Sequence, residues 1–180
     1  MTEIASHGST PLLVRADEAE ELGLGPASMR LIADGDTPGS LSVSRTRLAS
    51  GMEGAKPHYH RAAAEMFYVL DGGLHVLLGE QVVTVAAGDY LVVPAHTTHA
   101  FAAAQSTGVD LLFLMPGVVR FDYFRLAERI ARGEADPAEL RESQERFDNH
   151  FLSSATWEEF RAPRSGAEGP SRTGGPDTSG

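Results

Sequence analysis

Cysteine is absent from these 180 residues. Without a thiol there is no disulfide framework, no thiolate zinc site and no cysteine nucleophile, so any metal must be held by nitrogen and oxygen ligands. Basic residues are also scarce: 15 Lys and Arg stand against 25 Asp and Glu, for a formal net charge of −10. Affinity for nucleic acid needs clustered cations to displace counterions, and the short N-terminal region carries no basic helix, so nucleic acid is not an expected partner. Long apolar runs are missing too. The densest, Val109 to Val119, is interrupted by Pro116-Gly117, and the stretch from Met1 to His7 has no basic region followed by an apolar one. No membrane partner and a cytoplasmic location are therefore expected.

What is present reads as one domain with ragged ends, since the length suffices for a single core. Residues 1–38 read as an N-terminal arm, with a short helix expected over Ala16 to Leu22 and a turn at Asp34 to Gly39. From Leu41 the pattern becomes β. Leu41 to Leu48, Glu65 to Leu70, Leu74 to Leu78, Val82 to Val85, Tyr90 to Val93, His99 to Ala103 and Val109 to Leu114 are short, aliphatic or aromatic, and separated by turn signals such as Asp71-Gly72-Gly73 and Gly88-Asp89. This spacing predicts an all-β sandwich or barrel over residues 39–118, and no internal repeat suggests a second one.

After Pro116 the period changes. Tyr123, Leu126, Ala127 and Ile130 mark a helix that Gly133 can end, and Asp136-Pro137-Ala138-Glu139 has the order of a capping box before a second helix running to about Leu152. One more turn is expected at Thr156 to Glu159, completing a helical segment over 119–161. Residues 162–180, rich in Gly, Ser, Pro and Thr, are expected to be a disordered tail.

Four of the seven histidines fall in Pro57-His58-Tyr59-His60 and Pro94-Ala95-His96-Thr97-Thr98-His99. Alternate residues of a strand share a face, so His58 and His60 point the same way, and Glu65 follows after a small loop. Any one histidine is usually polar surface or a satisfied core residue. Several in this order, with a carboxylate beside them, suit a divalent ion held by nitrogen and oxygen.

These residues resemble the cupin superfamily. Its first motif has a His-x-His pair, a Glu and a later Gly, matched by His58, His60, Glu65 and Gly72; its second has Gly, Pro and a ligand His, matched by Gly88, Pro94 and His99. Met52, His96 and Ala103 depart from the usual Gly, Gly and Asn, and none of these removes a ligand. His96 reads as a residue that tolerates turn geometry, His75 and His150 as structural, and His7 as part of a flexible terminus. The resemblance implies a double-stranded β-helix, or jelly-roll, barrel with C-terminal helices. It also implies one divalent first-row metal ion (Ni, Mn, Fe, Co, Cu or Zn) on His58, His60, Glu65 and His99.

Strand alternation would place Phe67, Val69 and Phe101 in the substrate pocket with those ligands. The wording around both motifs, and Phe121-Asp122-Tyr123-Phe124 after the barrel, look like bacterial quercetin 2,3-dioxygenase-type single-domain cupins. That likeness implies a metal-dependent dioxygenase using dioxygen on a flavonol-like or other enolisable aromatic small molecule, with Glu65 doubling as general base. The alternatives are a non-redox metal-dependent cupin, such as a polyketide cyclase or isomerase, and a small-molecule-binding cupin without turnover. A homodimer is expected, with Phe121, Phe124, Phe147 and Trp157 offering apolar surface unless they close one end of the barrel.

Overall fold

The computed structural model describes residues 11–37 and 39–163. Its strands are β1 (Glu21–Leu24), β2 (Ala27–Ala33), β3 (Leu41–Leu48), β4 (Glu53–Tyr59), β5 (Glu65–Leu78), β6 (Gln81–Ala86), β7 (Tyr90–Val93), β8 (His99–Ala103), β9 (Val109–Pro116) and β10 (His150–Phe151). Helices α1 (Phe121–Ala131), α2 (Pro137–Glu142), α3 (Gln144–Phe147) and α4 (Ala155–Arg161) lie after the barrel strands. One layer follows the order β1-β2-β3-β9-β5 and adds β7; the other runs β5-β8-β4-β10 and adds β6, with every pairing antiparallel.

Both layers share β5. Its first half pairs with β7 and β9 and its second half with β6 and β8. The sequence predicts two strands separated by a turn at Asp71-Gly72-Gly73; instead, one 14-residue strand bends there. Gly72 sits at φ 76°, and a Cβ on it would lie 2.3 Å from the carbonyl oxygen of Gly108. The glycine therefore lets the strand turn the barrel corner where any other residue would collide. Across the corner, Phe67 meets Phe101 and Phe113 with centroids 5.1 and 5.8 Å apart, and Phe113 meets Phe124 of α1 at 5.7 Å. This edge-to-face column ties both layers to the first helix.

Strand β3 inverts the usual pattern. Ser42, Ser44 and Thr46 are buried, while Arg45 and Arg47 face outward to Asp110 on β9. None of the three hydroxyls has a hydrogen-bond partner among the described residues. One inner wall of the barrel is therefore polar, which a sealed apolar core would not tolerate.

Three expectations need correction. Residues 16–22 form no helix: after a turn, Glu21 enters β1, which forms a hairpin with β2 and extends the first layer. The second helix does not reach Leu152. The capping box is present, with Asp136 accepting from the Ala138 N–H and Glu139 from the Asp136 N–H. The chain then leaves the helix at Asp148, in the left-handed region at φ 48°, and β10 pairs His150 with Tyr59 and Phe151 with His58. Leu140, Phe147 and Phe151 fit a helical period, but the unpaired edge of β4 provides hydrogen bonds that outweigh it. Finally, the strand that carries His58 starts at Glu53, taking in Gly54 and Pro57, and ends at Tyr59, so that His60 lies just beyond it. A Cβ on Gly54 would fall 2.0 Å from the Phe101 ring, so this glycine serves close packing.

Phe124, Phe147 and Trp157 are buried within the chain, and the Trp157 indole N–H donates to Glu53 at 2.9 Å. These side chains close the barrel and are not available as an outer surface. His75 lies on β5, bonded to Thr84 and edge-on to Phe160. His150 stacks on Tyr59. His7 and most of the expected C-terminal tail lie outside the described residues.

Asp110 accepts from Arg45 at 2.8 and 2.7 Å and from Arg47 at 3.0 Å. The Arg45 guanidinium, aided by Arg47 and opposed by partial burial, holds the carboxyl below the usual aspartate range. A depressed folded pKa stabilises fully above the unfolded value near 3.9, and that contribution is lost as pH falls through the folded value. We expect Asp110→Asn to lower stability at neutral pH by less than about 1 kcal/mol, since the arginines are well solvated. In urea denaturation the gap from wild type should close in acid; a gap independent of pH would show that the ion pair is not its cause.

Candidate metal centre

His58 stands near the end of β4, His60 just beyond it, and Glu65 and His99 open β5 and β8. The chain brings all four together, each no more than 2% exposed, and the antiparallel register sets His58 opposite His99. Oε2 of Glu65 lies 2.8, 3.5 and 3.8 Å from the Nε2 atoms of His60, His99 and His58. One nitrogen or oxygen atom from each residue falls within 4.8 Å of all the others.

Backbone carbonyls fix how the imidazoles present themselves. Nδ1 of His58 faces the Lys56 oxygen at 2.8 Å, Nδ1 of His99 faces the Thr97 oxygen at 2.8 Å, and Nδ1 of His60 faces the Asp148 oxygen. A carbonyl only accepts, so each Nδ1 carries the proton and each neutral ring turns a bare Nε2 lone pair inward. Three such lone pairs and a carboxylate converge in a buried space. Nε2 of His99 and Oε1 of Glu65 have no partner among the described residues. Four converging acceptors repel one another unless a cation or protons lie among them, and a divalent metal ion suits the set. Where no ion lies among them, a proton takes its place: burial pushes the Glu65 carboxyl up, but protonated His99 and the contacts of His58 and His60 outweigh it and hold the group well below the usual carboxylate range. Burial likewise pulls His99 down, and the Glu65 carboxylate outweighs that and raises it. Burial pulls His58 down against the pull of Glu65, favouring the neutral ring that binds metal.

Asp148 was not legible as part of this arrangement. Its carbonyl anchors His60, and its carboxylate accepts from the N–H groups of Arg61 at 2.8 Å and Ala62 at 2.7 Å, gripping the loop between His60 and Glu65. Aspartate tolerates the left-handed backbone that makes this possible. His96 is also left-handed, at φ 65°, and its N–H donates to the His60 oxygen at 2.6 Å. It holds the turn and stands apart from the four-residue cluster.

Beside the cluster lies a cavity of about 450 Å³, lined by His58 and Glu65 and walled by Met29, Phe101, Phe113 and Phe124 among others. Phe101 is where alternation places it. Phe67 and Val69 are not on the cavity wall; both are fully buried in the core, where Phe67 packs edge-on behind Phe101 and Phe113, which do line it. Arg120 and Asn149, which carry no recognisable motif, do line it, as does Tyr123, which the sequence marks only as part of the helix after the barrel. Only the return of the C-terminal segment over the barrel mouth puts them there.

We expect His58→Ala, His99→Ala and Glu65→Gln to remain folded by circular dichroism while binding little metal by elemental analysis, since the aromatic column does not depend on the ion. Normal metal content in all three would remove the centre. Asp148→Ala keeps the backbone carbonyl that His60 faces but removes the carboxylate that grips Arg61 and Ala62, and should weaken metal affinity by roughly tenfold by letting that carbonyl and the loop shift. Unchanged affinity in a competition titration would show that Asp148 holds only the loop.

A family model described as "Cupin domain" matches residues 44–115. A quercetin 2,3-dioxygenase of Bacillus subtilis (strain 168) is 27% identical over 140 residues, 77% of this chain and 41% of that protein, so the chain spans less than half of that relative's length. Among solved structures, KdgF from a Halomonas species aligns with a TM-score of 0.52 and 23% identity, covering 63% of this chain and 99% of that one. An RmlC-like cupin from Shewanella frigidimarina aligns with a TM-score of 0.51 and 21% identity, covering 63% and 96%. With the two-layered barrel and the motif residues at its mouth, these likenesses show that the unit from β3 to β9 has the cupin fold and matches the cupin domain model over residues 44–115.

Proposed function

We propose that this chain is a metal-dependent dioxygenase that uses dioxygen on a flavonol-like or other enolisable aromatic small molecule. The observation that carries the reading is the convergence of four acceptors, His58, His60, Glu65 and His99, beside a mainly apolar cavity of ligand size that His58 and Glu65 line. The resemblance to a quercetin 2,3-dioxygenase supports the choice of reaction.

In this reading the four residues would hold one divalent first-row ion, which would supply Lewis acidity toward an enol and the redox chemistry with dioxygen. The chain's own residues do the rest. The three carbonyl-anchored imidazoles keep the ligand geometry without reorganisation. Oε1 of Glu65, buried and unpartnered, is the atom able to accept a proton from the substrate hydroxyl. The rings of Phe101 and Phe113 provide a flat apolar wall that excludes water from the reacting face.

One observation favours a second reading. Arg120 and the Tyr123 phenol on the same cavity offer a fixed positive charge and a weak acid, which suit a non-redox isomerisation or cyclisation. No helix among the described residues is long and apolar enough to cross a membrane. A homodimer, should one form, has a surface in Tyr68, Leu70, Tyr90 and Val92, exposed on neighbouring β5 and β7.

Elemental analysis of the purified chain, beside oxygen uptake with a flavonol panel, tests the proposal. We expect one equivalent of a first-row metal and oxygen consumption that depends on substrate. Metal without uptake across the panel would turn the reading toward the non-redox enzyme. Absence of metal after reconstitution would overturn both.

A further inference from the structure

Arg120 is an arginine in an unusual place. It precedes α1, is 2% exposed, and lines the cavity that also touches His58 and Glu65. Nη1 donates to the Phe147 carbonyl at 2.5 Å, but Nε is buried without a partner. No carboxylate among the described residues lies within ion-pair distance of the guanidinium. The carboxylate of Asp34 is taken up by the backbone N–H groups of Gly35, Arg120 and Phe121, at 2.9, 2.7 and 3.2 Å. The guanidinium carbon sits 4.5 Å from the Tyr123 ring centroid, which covers one face. The Tyr123 hydroxyl in turn accepts from Asn149 Nδ2 at 3.1 Å, leaving Asn149 Oδ1 buried and unpartnered on the same cavity.

A buried cation without a direct ion pair carries a large desolvation penalty, and burial pulls this guanidinium below the usual arginine value although the more distant charges of Glu65, Asp148 and Asp34 oppose it. A purely structural arginine would use more than one of its five donors. Here the unused Nε belongs to a planar fork that matches carboxylate oxygens, a geometry lysine does not offer. The cavity walls are otherwise mainly apolar, with Thr46 and Asn149 adding polar atoms that also lack partners. We propose that Arg120, braced by Tyr123 and Asn149, is a carboxylate-recognising subsite, so that the molecule taken by this cavity is a small, mostly apolar acid rather than its neutral counterpart.

The inference rests on reading this cavity as the substrate site and does not require the metal to be redox-active. Its test uses the full chain, both chelator-treated and zinc-loaded, with benzoate and its neutral isostere benzamide as calorimetric probes. We expect metal-free wild type to prefer benzoate by roughly tenfold or more, Arg120→Gln to lose that preference, Arg120→Lys to keep part of it, and zinc content to be unchanged in both variants. Equal affinities in wild type, or an undiminished preference in a folded Arg120→Gln protein, would overturn the subsite. A preference that appears only with zinc would also overturn it, by assigning the anion to the metal, while leaving the metal centre intact. A benzoate preference in a chain that never binds zinc would support the subsite and sink the metal reading. Should the variants not fold, the arginine Nε–H spectrum of wild type decides: a slowly exchanging resonance that shifts with benzoate and not with benzamide supports the proposal, and no such shift overturns it.

Discussion

The carbonyl oxygens of Lys56, Thr97 and Asp148 impose the constraint on which the site depends. Each takes the proton of one imidazole Nδ1, and each thereby forces a bare Nε2 toward Glu65. Two of these oxygens lie two residues before the ring they hold, so the geometry is local to the ends of the strands. The third is 88 residues away and exists only because the C-terminal segment folds back over the barrel. Removing four polar groups from water while aiming their lone pairs at one point is unfavourable unless a cation collects them, and the surrounding fold is what keeps them from turning away.

That fold is built around a corner. A single strand, β5, begins at Glu65 in one layer and ends in the other, so the residue that supplies the carboxylate belongs to the same rigid element as Phe67 and Val76 in the core. Motion of the ligand relative to the barrel would require the aromatic column from Phe101 to Phe124 to repack. Against this stiff frame the inner face of β3, with its unpartnered hydroxyls, gives the interior polarity on one side, while β4 provides the edge that β10 completes.

The segment after the barrel thus does more than cap it. Asp148 grips the loop between two candidate ligands, Phe147 receives Arg120 on its carbonyl, and Trp157 seals the second layer through Glu53. The cavity wall and the orientation of His60 therefore meet in a few residues around 147–149. This couples the shape of the cavity mouth to the position of His60, and it gives the helices a chemical role as well as an apolar one.

Strands β3 and β5 to β9 were legible because alternation and glycine punctuation are local signals, while β1, β2 and most of β4 were not, and His58, His60, Glu65 and His99 were legible because their order and spacing survive in one dimension. The first helix and the capping box at Asp136 were local in the same sense. The short helix at Ala16 to Leu22 and the long one to Leu152 were misread because backbone pairing with β2 and with the open edge of β4 outweighs a weak helical period. The bend at Gly72 looked like a turn because a glycine that changes a strand's direction and one that ends it leave the same mark. Arg120, Asn149 and Asp148 left no mark at all. An arginine in sequence reads as surface, and only the return of a distant segment over the barrel decides that this one is buried, without an ion pair among the described residues, and on the cavity that His58 and Glu65 line.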